Sequence, residues 1–233
     1  MTVTIAFLAI LAAIAFAWLA RQRLFARPWL EQGILDEGTA TPRPDMTPKV
    51  GLGLLLAVIG SLFALFIGAY VIRADSLDWR PVPVPPVIWF NTALLVLASI
   101  CLEWALDASR RDRSPIARRA LLLATAFGLA FLVGQLLAWQ QLSESGYFVA
   151  GNPSNSFFYL LTGLHGLHII GGLVALLVVT RRAYASVASG KLALNVELCA
   201  TYWLFLLFVW VALLALLSGG AAQFIDLCRQ LFT

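Results

Sequence analysis

His165 and His168 are the only two histidines among 233 residues, three apart in the run 155–180, NSFFYLLTGLHGLHIIGGLVALLVVT. That run has no lysine, arginine or carboxylate. Imidazoles could ligate a metal, carry a proton or join helices. At i and i+3 they face roughly the same way on a helix, so both cannot be axial ligands of one haem, which approach from opposite faces. A bis-histidine haem would need a histidine on another helix, and the sequence has none. Met1 and Met46 lie outside the core of any apolar run. The reading is therefore that both histidines are neutral and hydrogen-bonded to neighbouring helices, with no metal or cofactor held by this chain. Cys101, Cys199 and Cys228 form no CxxC or CxxCH, which argues against a zinc ribbon, a disulfide framework or attached haem.

The elements that must position these residues are membrane helices. Hydrophobic residues make up 61% of the chain and charged residues 12%, with a mean hydropathy of +0.88. Soluble domains carry about 25% charged residues. The apolar runs are continuous rather than alternating, which excludes a barrel. The fold class is all-α membrane, with six transmembrane helices at about 2–20, 50–72, 86–107, 119–141, 155–180 and 195–218. The first, third and fifth loops hold 13 of the 16 Lys and Arg residues, those at span ends included. The positive-inside rule puts these loops in the cytoplasm and both termini outside. Span 2–20 reads as a retained anchor, because Arg21, Arg23 and Arg27 follow its apolar run. Residues 1–49 would be an N-terminal helix and cytoplasmic linker, and 50–233 a five-helix domain.

Polar residues inside the spans are few. At about 1.5 Å per residue, Asn91 and Gln135 lie roughly 8–9 Å from the outer ends of their helices. Thr162 and His165 lie roughly 10–15 Å in. With His168, they are expected to form an interhelical polar layer. Gly163, Gly166, Gly171 and Gly172 would let another helix approach closely and put this span at the bundle centre. Glu103 and Glu197 fall near cytoplasmic ends, with Asp107 one turn beyond Glu103. They read as partners of Arg110 or Arg111, or as proton-collecting or subunit-contact groups. No carboxylate sits at mid-membrane, which argues against a proton path through the chain. Tyr70, Arg73, Trp79 and Trp203 read as lipid or interface anchors. The aromatic set Tyr202, Trp203, Phe205, Phe208 and Trp210 reads as packing or lipid contact. No internal repeat is visible, which disfavours an inverted-repeat transporter.

At FFYLLTGLHGLHIIGG the chain resembles subunit III of haem–copper terminal oxidases, whose pattern is FFxxTGxHGLHVxxG. Phe157, Phe158, Thr162, Gly163, His165, Gly166, Leu167 and His168 carry the match. AYVIR (69–73), the proline-rich crossover, WFNT (89–92), GQLLAWQQL (134–142) and Glu197 with Tyr202 and Trp203 agree in order. The resemblance covers about 50–218 and implies one N-terminal helix plus a five-helix subunit III-like bundle. It implies a non-catalytic subunit of a bacterial inner-membrane complex that reduces dioxygen to water, using cytochrome c or quinol, and moves protons. Haem and copper would sit in partner subunits I and II, with subunit I in direct contact. The chain would bind phospholipid and support proton uptake. Val58 and Ile59 stand where the family often has SE, and Leu204 follows Tyr202 and Trp203 where it often has histidine. An accessory protein of nitric oxide reductase clusters, a related branch with the same motif, is the alternative.

Overall fold

A computed structural model describes residues 46–74, 76–185 and 189–218. They form five helices: α1 (Met46–Ala74), α2 (Val87–Arg110), α3 (Ser114–Glu144), α4 (Pro153–Tyr184) and α5 (Ser189–Leu217). Each is long and apolar enough to cross a membrane. The expected span 2–20 lies outside the described residues. At about 1.5 Å per residue, α3 and α4 run to roughly 46–48 Å, past the ~30 Å hydrocarbon core. They therefore outrun the expected 119–141 and 155–180, because a helix continues beyond the apolar window that betrays it.

Proline starts four of these helices. Pro48 lies in the first turn of α1, Pro86 is the N-cap of α2, and Pro115 and Pro153 sit in the first turns of α3 and α4. Its missing N–H would be unpaired there in any case, and its φ is already helical. Asn152 completes the start of α4, where its Oδ1 accepts from Ser154 N at 2.9 Å. Two helices stop by the same device. After α2, Arg113 N donates to Ala108 O and Asp112 N to Ser109 O. After α3, Tyr147 N donates to Leu142 O and Gly146 N to Ser143 O. These are Schellman closures, with Asp112 (φ 55) and Gly146 (φ 85) in the left-handed region.

The chain divides into two compact units, Met1–Leu62 and Phe63–Thr233. In the first, the described part is the opening of α1, where Ser61 Oγ donates to Ala57 O. In the second, α2 packs beside α3 and α5, and α4 beside α3 and α5, closing a ring of four. The closest pair is α2 with α3. Ala98, Ala105, Ala117, Ala120, Ala124 and Ala138 on that pair are all fully buried. Lipid tails are as apolar as leucine, so membrane helices associate by close packing and hydrogen bonds. Small side chains permit the first. The end of α1 from Phe63 onward lies along α4, with Phe63 5.5 Å from the His168 ring and Tyr70 5.7 Å from Phe157.

Candidate functional site

His165 is fully buried between three helices. Its Nε2 lies 3.1 Å from Leu206 O of α5. A carbonyl only accepts, so Nε2 carries the hydrogen and Nδ1 is left as an acceptor. Three aromatic rings enclose the imidazole: Trp210 at 5.0 Å, Phe131 at 5.7 Å and Phe63 at 6.4 Å. His168 takes the opposite tautomer. Its Nδ1 donates to Leu164 O at 2.8 Å, one turn back on its own helix. The expected bond from His168 to a neighbouring helix is instead made by its backbone, where the carbonyl accepts from Tyr202 Oη at 3.0 Å. A side chain at i+3 from an inward-facing residue sits rotated toward the helix flank, and His168 is half-buried there.

The interhelical bonds around this histidine come mainly from indoles. Thr162 Oγ1 donates to Phe158 O at 2.7 Å and accepts from Trp139 Nε1 of α3 at 3.1 Å. Thr92 Oγ1 donates to Ile88 O at 2.9 Å and accepts from Trp210 Nε1 of α5 at 2.9 Å. Sequence reasoning placed Thr162 here but missed the roles of Trp139, Trp210 and Thr92. The available signal was a tryptophan and a threonine at matching depth on different helices. Asn91 and Gln135 are also inside, 0% and 3% exposed. Their amides bond to no group among the described residues. The Asn91 amide lies directly over Gly134 of α3.

Trp203 was expected to be a lipid or interface anchor, and the structure corrects this. It is fully buried, and its Nε1 lies 3.4 Å from Gly172 O. Glycine makes room for it. A Cβ on Gly128 would lie 2.5 Å from Trp203 Cη2, and one on Gly172 would lie 2.9 Å from Tyr202 Cε1. The glycine expectation therefore holds for Gly172 alone. A Cβ on Gly163 would make ordinary contact at 3.4 Å, and those on Gly166 and Gly171 would meet nothing closer than 4.0 and 3.9 Å. Gly128 and Gly134, on α3, are the other close-approach glycines. α4 is one wall of the four-helix ring rather than its axis.

At the proline-rich end, Arg73 donates two bonds to the Asp78 carboxylate, at 2.8 and 2.6 Å. These bonds hold the Asp78 carboxyl below the usual aspartate range. Tyr70, Trp79 and Phe157 cluster with centroids 4.9 to 6.1 Å apart. Tyr70 and Trp79, expected as interface anchors, thus pack against protein. Asn152 Nδ2 donates to Asp78 O at 3.1 Å, joining the two loops.

At the basic end, Arg111 pairs with Asp107 at 2.9 Å along α2, and Arg110 of α2 reaches Glu197 of α5 at 3.5 Å. Arg118 Nε donates to Ala183 O at 2.9 Å and its guanidinium lies over Tyr184. Glu103 is exposed on the face of α2 that also presents Ile100 and Trp104. The structure buries Asn91, Gln135, Thr162 and His165 inside the bundle, and Glu103, Asp107 and Glu197 lie apart from them on α2 and α5 at the basic end. Among the described residues, no three His, Cys, Asp or Glu side chains converge as a metal site would require.

The sequence profile of the family described as cytochrome c oxidase subunit III matches residues 31–218. The match starts before the expected domain boundary at residue 50 and takes in all five described helices. A protein of Nocardia farcinica named "Probable cytochrome c oxidase subunit 3" is 29% identical over 184 residues, 74% of this chain and 87% of that one. One of Mycobacterium bovis with the same name is 30% identical over 178 residues, 73% and 86% of the two chains. "Cytochrome c oxidase subunit 3" of Corynebacterium diphtheriae is 28% identical over 183 residues, 75% and 88%.

Proposed function

The chain belongs to the cytochrome c oxidase subunit III family, and we propose that it serves as the non-catalytic subunit of a bacterial haem–copper terminal oxidase. It is a multi-pass membrane protein. The observation that carries the reading is the family match across every described helix. In this reading the chain holds no redox centre, and haem and copper belong to subunits I and II. Its own helices lend a rigid, close-packed surface to subunit I, with phospholipid filling the remaining contact.

The two ends have different work in this proposal. The basic end faces the cytoplasm of the inner membrane by the positive-inside rule. There Glu103, Asp107 and Glu197 either collect protons at the surface or meet subunit I. Glu103 is the strongest contact group, because a carboxylate on an apolar membrane face is costly unless a partner hydrogen-bonds it. At the other end Arg73, Tyr70 and Trp79 sit at the outer boundary.

Affinity purification through this chain from its native membrane tests the assignment. A haem- and copper-containing partner should come with it at one copy per copy, in a fraction that reduces dioxygen. Recovery of the intact chain without haem or copper would overturn it. Glu103→Gln should weaken retention of that partner and leave the folding of the isolated chain unchanged. Unchanged retention would remove Glu103 from the contact.

A further inference from the structure

Among the described residues, three polar side chains on three helices end in the protein interior without a hydrogen-bond partner. Both amide atoms of Asn91, both of Gln135 and the Nδ1 of His165 are buried and bonded to no group of the described residues. They belong to one neighbourhood. Asn91 lies over Gly134, the residue before Gln135. Gln135 is one turn past Phe131, whose ring is 5.7 Å from His165 and 5.0 Å from Trp210. Trp210 donates to Thr92, the residue after Asn91, and its ring is 5.0 Å from His165. Buried polar groups are almost always satisfied, and those the protein leaves unpaired are the ones that internal water completes.

We propose that Asn91, Gln135 and His165 form an internal hydration site that holds one or two water molecules between α2, α3 and α4. The chemistry selects water. With Nε2–H engaged by Leu206 O, Nδ1 needs a donor. The carbonyl oxygens of the two amides also need donors, while their NH2 groups need acceptors. Water supplies both at once. A divalent cation would find only neutral donors in Asn91, Gln135 and His165, and no three His, Cys, Asp or Glu side chains converge among the described residues. An apolar guest such as dioxygen would leave every one of these atoms unpaired. The role is positional. The water would tie the helices at the level of His165 and keep its ring in one tautomer.

The site does not depend on which complex the chain joins. Electron cryo-microscopy of the chain in its native complex, at a resolution that shows ordered water, tests it. A peak should lie about 2.6–3.2 Å from Nδ1 of His165 and from at least one of the two amides. Gln135→Leu and Asn91→Leu together should remove that peak. A direct bond from either amide to Nδ1, or no density between the three groups, would overturn the site. If the double variant fails to fold, the wild-type map alone decides. A complex that assembles without the peak overturns the hydration site and leaves the oxidase assignment standing. A chain that joins no haem protein can be imaged alone, and the site judged there.

Discussion

A threonine hydroxyl inside a helix gives its single hydrogen to the carbonyl one turn back and keeps its lone pairs for a neighbour. Thr92 and Thr162 both do this, and each receives a tryptophan N–H from another helix. With no hydrophobic drive between helices in lipid, such bonds and close packing decide association. Each should be worth about 1 kcal/mol. Trp210→Phe and Thr92→Val should each destabilise the chain, and the double variant should cost less than the two singles added, by about 0.5–1 kcal/mol. Reversible unfolding in mixed micelles measures this; strict additivity would mean the bond contributes nothing. The neighbouring glycines Gly171 and Gly172 give a second test. Gly172→Ala drives a methyl into Tyr202 and should cost about 1–3 kcal/mol, whereas Gly171→Ala makes only an ordinary contact with Tyr202 Oη at 3.9 Å and should be neutral or gain up to about 1 kcal/mol of helix propensity.

Helix ends show the same logic one level up. The two Schellman closures differ in one respect: Gly146 adopts its positive φ without strain, while Asp112 holds a side chain in a region that glycine prefers. Asp112→Gly should therefore raise the melting temperature, by an amount equivalent to about 0.5–1 kcal/mol. Asp112→Val, β-branched at the same φ, should lower it. A null result for both, read by thermal unfolding in detergent, would show that the turn relaxes freely. The expected starts at 119 and 155 came later than Pro115 and Pro153, and among these proline-led helices only the start of α2, expected at 86, was legible in sequence. Asp112 was not, because aspartate takes the left-handed region in a minority of its positions and only the closing bonds reveal it.

At the scale of the molecule, orientation follows from charge. Single cysteines at exposed loop sites test it in a background whose native cysteines are replaced. Asp112→Cys should react with an impermeant maleimide only after the membrane is opened, and Gly151→Cys should react from outside in intact cells. The reverse pattern would invert the topology. What the sequence settled alone was everything governed by local chemistry and by the solvent. Continuous apolar runs dictate membrane helices, since lipid leaves the backbone no other partner. The TGLHGLH motif marks the family. Tertiary structure decided what depends on which face meets which. It buried Trp203 rather than setting it at the lipid boundary, gave His165 and His168 opposite tautomers, and assigned the close approaches to Gly128, Gly134 and Gly172. A lipid-facing and a helix-facing position can carry the same apolar or aromatic residue. Hydropathy cannot separate them, and only the packing of the neighbouring helix does.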